Sequence, residues 1–547
     1  MLTKADTYEA VCAAHSWDII PERFNMGVDV CDKHAALTPD KPALIVADPE
    51  VEDVTFTFRQ MKTLSDQLAN LLIAKGMKQG DRIGIFLSQS VEAALAHVAA
   101  WKMGAISIPL FTLFGEDALA FRLQDSGAKT LITDIDNLHK LEAIRDELPD
   151  LKTIFVVGAG KDGADFADFW TAMALARDAF TPVDTSAEDP SFICYTSGTT
   201  GNPKGALHAH RTMFGHLSGM EMFHDFLPQE GDLMWTPADW AWIGGLMNCL
   251  MCSWHHGVTN LAYRAKKYDP EQALHLMARY DVRNTFMPPT ALNLMRQVSD
   301  IPRFRTDLRT VAVAGEPMGV ELLDWGRENF GLTFNEYYGQ TECNLVVANC
   351  QEIMEVKPGH MGRAAPGHDV QVIDDDGKVL PPGEEGELAV AAPDPVLLLE
   401  YWNNKEASDA KITNGWWRMG DAAVKDEDGY FRFVGRADDV ITTAGYRVGP
   451  GEIEDCLTKH PAISLAAAIG VPDPVRTENI KVFIKLADGH NGGPDLESEI
   501  RDFVKTRLSP HEYPRLIEFV DDLPLTATGK IRRKDLRDAE LAKAKED

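Results

Sequence analysis

Between the apolar run Phe192-Ile-Cys194 and an amphipathic stretch starting near His210 the chain carries Tyr195-Thr-Ser-Gly-Thr-Thr-Gly-Asn-Pro-Lys-Gly205. Its glycines, Gly198 and Gly201 among them, let backbone amides turn toward one point, and the hydroxyls of Thr196, Ser197, Thr199 and Thr200 add donors. Lys204 brings a compact positive charge. Donors converging beside an ammonium group suit a polyphosphate. The segment is not a P-loop, because the Lys is followed by Gly205 in place of Ser or Thr and the spacing differs. A flexible linker would share the composition but not the strand-like segment before it and the helix-like one after it. A second glycine pattern, Gly158-Ala-Gly160-Lys-Asp-Gly163 after Thr153-Ile-Phe-Val-Val157, has the form of a dinucleotide fingerprint. It lacks the second strand ending in an acidic residue about 20 positions on, so a surface turn is expected there.

Five further segments follow in order: Gly315-Glu-Pro317, Tyr337-Tyr-Gly-Gln-Thr-Glu342, Trp417-Arg-Met-Gly-Asp421, Gly435-Arg-Ala-Asp-Asp-Val-Ile441 with Gly445-Tyr-Arg447 and Glu452-Ile-Glu454, and Leu525-Thr-Ala-Thr-Gly-Lys-Ile531. Together with the hydroxyl-rich loop they resemble the motifs of the adenylate-forming superfamily, which holds acyl-CoA synthetases, luciferases and peptide-synthetase adenylation domains. The resemblance implies ATP, Mg²⁺ and CoA as cofactors and a two-step reaction: a carboxylic acid and MgATP give acyl-AMP and pyrophosphate, and the CoA thiol then displaces AMP. It implies that Gly315, Glu316 and Pro317 contact adenine, that Tyr337, Tyr338, Gly339 and Gln340 lead into a phosphate contact at Thr341, and that Glu342 holds the metal. Asp421 takes the ribose hydroxyls with Arg436 beside it. Lys530 and Arg447 supply cations, Gly445 and Tyr446 shape the CoA tunnel, and Asp438 is the hinge of a mobile C-terminal module.

The chemistry agrees with those residue types. A carboxylate attacking the α-phosphorus of ATP brings two anions together, and the site must neutralise both with a metal and with fixed and mobile cations. Two steps with different nucleophiles ask for two arrangements around one bound intermediate.

In relatives the acyl pocket is lined by the segment before the phosphate-contacting Thr and by a helix after a Trp-rich turn, here Trp235-Thr-Pro-Ala-Asp-Trp-Ala-Trp-Ile-Gly-Gly245. Acetate-specific relatives carry Trp two residues before the Thr; this chain has Gly339 there and Gly244 where Thr is common. The expectation is a pocket walled by Trp235, Ile243, Gly244 and Gly339 that takes short-to-medium acids above acetate, and that Gly339→Trp narrows. Trp240 or Trp242 refilling the space is the competing expectation. Rival readings are an aryl (benzoate-like) CoA ligase and a non-catalytic nucleotide- or acyl-CoA-binding homologue. The joint presence of Lys204, Glu342, Asp421, Arg447 and Lys530 argues against the second.

These groups need a scaffold. Short β-branched runs alternate with amphipathic stretches: Arg82–Leu87, a helix over Val91–Met103, Ile106–Leu110, Thr130–Thr133, Thr310–Ala314 and Thr333–Tyr337. That pattern predicts α/β layers with mostly parallel strands. From about Val370, turn-rich segments such as Pro381-Pro-Gly383 predict a small β-rich subdomain. The fold expected is α/β, with a large N-terminal domain over 1–437 and a small mobile α+β domain over 438–547 that carries Lys530.

With 547 residues, 45% hydrophobic and 25% charged, the chain suits more than one globular core. A formal net charge of -30 argues against nucleic acids and anionic membrane surfaces as partners, but not against ATP, whose cleft sets its own potential. Neither a membrane span nor a signal peptide is evident. Eight scattered cysteines form no disulfide framework, and Cys249 with Cys252 in an apolar stretch suits buried thiols, so the cytoplasm is expected. A homodimer is among the assemblies left open.

Overall fold

The computed structural model describes residues 2–47, 52–196, 202–263, 265, 267–436, 439–487, 489–524 and 531–546, with the backbone alone for Arg436, Arg447, Asp455 and 544–546. Two large sheets form its body. The first has eight strands in the order Glu400–Tyr401, Lys204–Ala209, Pro190–Thr196, Ile106–Pro109, Arg82–Phe86, Thr130–Asp134, Thr153–Val157 and Ala167–Asp168. It is parallel from Pro190–Thr196 onward and antiparallel at the end that holds Lys204–Ala209. The second has nine strands, with a parallel centre running from Asn335–Tyr338 through Thr310–Val313, Asn284–Met287, Leu233–Trp235 and Thr259–Tyr263 to Pro42–Ala47.

Helices Val91–Lys102 and Thr212–Phe223 lie between the sheets, and one apolar cluster joins them to Ile83 and Phe192 of the first sheet and Leu44, Met234 and Phe286 of the second. Both helices are buried almost all round, which is why their sequences show little amphipathic contrast. Ser90 caps the first by accepting from the Ala93 amide at 3.1 Å.

A third, antiparallel sheet of five strands covers Val370–Ile373, Glu385–Ala391, Ile412–Thr413, Trp416–Lys425 and Phe431–Arg436. A fourth, also of five strands, begins at Ile441 and is built on the long hairpin of Ile463–Asp473 and Thr477–Leu486. It has its own core around Ile453, Val482 and Ile500. The pattern Gly158 to Gly163 is an exposed turn in which Asp168 accepts from the Gly160 amide at 2.9 Å. No helix among the described residues is long and apolar enough to cross a membrane.

Candidate active site

In open α/β sheets ligands gather outside the carboxyl ends of the parallel strands. A cavity of about 470 Å³ lies at those ends in both large sheets, with Pro109 and Thr196 from the first and Phe286, Ala314 and Tyr337 from the second on its wall. Thr196 and Lys204 face each other across the antiparallel ladder, and both line the cavity. Ser197, Gly198, Thr199, Thr200 and Gly201 between them lie outside the described residues. The Lys204 ammonium sits 5.3 Å from the ring centre of Tyr401, whose hydroxyl donates to Glu342 at 2.6 Å. A cation and a carboxylate thus share one part of the wall, which Thr341, the residue before Glu342, also lines.

The turn that delivers Thr341 and Glu342 is tight. A Cβ at Gly339 would run into the backbone nitrogen of Leu345 and lie 3.0 Å from Asn344 Cα, and Leu345 itself adopts φ 78°. Gly339 is therefore required by the chain's own backbone as well as facing the cavity, and the expected Gly339→Trp exchange cannot be made without rebuilding 339–345.

Gln340 donates to Asp421 at 2.7 Å and to the Met419 carbonyl at 2.6 Å, and Tyr338 donates its hydroxyl to Asp421. Asp421 is fully buried, opposite Arg436 in the ladder; of its strand, Met419 and Gly420 line the cavity. Gly315, with φ 94°, lines it too, whereas Pro317 and Tyr338 do not. Glu316 is buried, accepts from the Thr290 hydroxyl at 3.0 Å and from the Gly445 amide, and has its carboxyl pushed up to about 6 by burial.

That last contact brings in the C-terminal segment. Gly445, at φ 82°, would set a Cβ 3.5 Å from both Pro288 and Trp242, so a bare backbone allows the close approach. Tyr446 stacks on His511 with ring centres 3.8 Å apart and meets Trp242 edge-on at 4.8 Å. Beside them Arg122, from helix Glu116–Ser126, reaches across to Glu452 at 3.3 Å and lies 4.0 Å from the Phe114 ring. Glu512, accepting from Ser509 at 2.5 Å, has its carboxyl pushed up to about 8, chiefly by burial and then by the Glu452 charge. Burial pushes His511 down to about 3. Gly115 donates its amide to the Leu508 carbonyl. The side chain of Arg447, and Asp438 and Lys530, lie outside the described residues.

On the acyl side Ile243 and Gly244 line the cavity together with Trp242, Phe286 and Asn344. Trp235 does not, which corrects the expectation. In the strand Leu233–Trp235 consecutive side chains point to opposite faces. Met234 enters the core between the sheets, and Trp235 packs on the other side with Leu261, Leu274 and Met277. Trp242, three residues from the end of that turn, occupies the wall instead. Tyr401, Arg122 and Asn344 were not expected here, and no local pattern marks them.

Comparison with known proteins agrees with this geometry. The AMP-binding enzyme model matches residues 31–402, and the AMP-binding enzyme C-terminal domain matches 452–530. The acetyl-coenzyme A synthetase of Bacillus subtilis is 36% identical over 529 residues, 95% of this chain and 91% of that protein. The crystal structure of a Brucella canis acyl-CoA synthetase, 32% identical, superposes with a TM-score of 0.73 over 99% of this chain and 100% of that one. An o-succinylbenzoate CoA synthetase double mutant from Bacillus subtilis, bound with a product analogue, is 25% identical and superposes with a TM-score of 0.80 over 94% and 98%. The chain belongs to the AMP-binding enzymes, among their AMP-forming acyl-CoA synthetases.

Proposed function

We propose that this enzyme converts short-to-medium acids above acetate to CoA thioesters by way of an acyl-adenylate, using the cavity described above for both half-reactions. What carries the reading is the meeting, on one wall, of Thr196, Lys204, Thr341 and Glu342 with Gly445 and Tyr446 of the C-terminal segment. Lys204 and Thr196 hold phosphate oxygens, and Glu316 lies behind the adenine-facing turn at Gly315. Glu342, a hard oxygen donor next to Lys204, fits a Mg²⁺ ion arriving with ATP; such an ion neutralises phosphate charge. Trp242, Tyr446 and His511 close one side against water.

The reading divides the chain at 437/438, with Asp438 as the hinge. The contact of Gly445 and Tyr446 with Trp242 and Glu316 then belongs to the thioester-forming arrangement, and Lys530 is delivered to the reacting groups in the other. Free thiols on all eight cysteines support a reducing compartment such as the cytoplasm. An aryl-CoA ligase is not favoured, since an acetyl-coenzyme A synthetase shares 36% identity along nearly the whole chain.

Pyrophosphate release from ATP with a panel of acids, with and without CoA, tests the proposal. Acid-dependent release without CoA and thioester only with CoA are expected; release that needs no acid would overturn it. Chain length is tested at Gly244, where a Cβ would stand 3.4 Å from Phe286, an ordinary contact. A methylene is worth ~0.8 kcal/mol when buried, so Gly244→Val, displacing about two of them, is expected to lower kcat/KM for hexanoate ~10-fold relative to acetate. An unchanged ratio would remove Gly244 from the acyl wall.

A further inference from the structure

Three polar side chains form a hydrogen-bonded row at the acyl end of the cavity. Asn344 donates its amide to Asn248 Oδ1 at 2.8 Å, and Asn248 donates to the Tyr337 hydroxyl at 3.2 Å. All three are more than nine-tenths buried. Tyr337 and Asn344 line the cavity, while Asn248 stands behind it on the helical turn Gly244–Met251, four residues after Gly244. The missing side chain at Gly244 opens the wall: its Cβ would lie 3.6 Å from the Tyr337 hydroxyl. The surroundings are otherwise apolar, with the Tyr337 ring stacked on Phe223 at 4.3 Å and tilted against Phe286 at 5.5 Å.

A row of three groups makes two hydrogen bonds and leaves its ends unspent. As oriented, Tyr337 keeps its O–H hydrogen and Asn344 keeps its carbonyl oxygen. Turning both amides over reverses the row, so that Tyr337 keeps acceptor capacity and Asn344 keeps N–H donors. In either sense one end offers a donor and the other an acceptor. A buried polar group without a partner costs about 1–3 kcal/mol, so a pocket for plain alkyl chains gains nothing from this pair. No cation pairs with Tyr337, Asn248 or Asn344 among the described residues, and burial pushes ionisation of the Tyr337 hydroxyl well above its ordinary range, so the row is neutral.

Resting on the ligase reading, we infer that the natural acid carries an uncharged hydrogen-bonding substituent, a hydroxyl or a ketone, which seats between Tyr337 and Asn344. Asn248 is the positioning residue that fixes the sense of the row. A site built around such a group discriminates far more sharply against the analogue lacking it than an apolar pocket does against an added methylene.

The test compares alkanoates of about four to six carbons with their hydroxy and oxo counterparts, moving the substituent one carbon at a time and measuring kcat/KM for pyrophosphate release. At one position the polar acid is expected to exceed its plain counterpart ~10-fold or more. Tyr337→Phe and Asn248→Leu should each bring that ratio to about one or below. A ratio taken within one variant is insensitive to how much of the protein folds. If the plain acid wins at every position in the unaltered enzyme, water fills the row and the inference is overturned while the ligase reading stands. If no acid in the panel releases pyrophosphate, the ligase reading falls and this inference falls with it.

Discussion

Lys530→Ala is expected to lower acyl-adenylate formation ~10²–10³-fold, the usual cost of removing one preorganised charge-stabilising group. Thioester formation from supplied acyl-AMP and CoA should change little. The difference follows from which step brings two anions together. When carboxylate meets α-phosphate, charge accumulates on the phosphorus oxygens, and a cation is worth most there. In the arrangement proposed for thiol attack, where AMP leaves an uncharged carbonyl, Gly445 and Tyr446 stand there instead; they pack on Trp242 and Glu316. Single-turnover measurements of the two steps decide the matter. Equal losses in both would remove the two-arrangement scheme, and with it the separate role of Lys530.

Arg122→Ala should have the opposite profile, sparing adenylation and slowing thioester formation. Arg122 is 3% exposed and supplies the cation that pairs the large body with Glu452 of the C-terminal segment. Breaking a buried pair costs about 3 kcal/mol, or ~100-fold in the equilibrium that docks the two parts.

How much of this could be read from the chain depended on whether the signal was local. The runs at Arg82–Phe86, Ile106–Pro109 and Thr130–Asp134 are strands of one parallel sheet, and Val91–Lys102 is the helix between the first two, because β-branched runs and a Ser90 cap act over a few residues. Thr196, Lys204, Thr341 and Glu342 stand on the cavity wall, and each sits in a short pattern suited to phosphate or metal chemistry. Tyr401 was invisible, since its role comes from a two-residue strand, Glu400–Tyr401, in which Tyr401 pairs with Ala206 from a distant part of the chain. Arg122 lies on a helix whose composition is ordinary, and only the approach of Glu452 gives it meaning. Trp235 misled for a different reason. Its strand is buried on both faces, so alternation carries no polarity from which to tell the cavity side from the opposite core.

The backbone crowding at Gly339 bears on how selectivity in such a pocket can change over generations. A single codon change to a bulky residue there would be rejected before selection could weigh its effect on chain length, because Leu345 stands in its path. A lineage moving from this architecture toward the smallest acids must first relax the 340–345 curl, and only then can it install the plug. Gly244, whose added atoms meet side chains instead of backbone, is open in one step. Laboratory selection for smaller substrates should accordingly recover changes at 244 first, and at 339 only in company with 345.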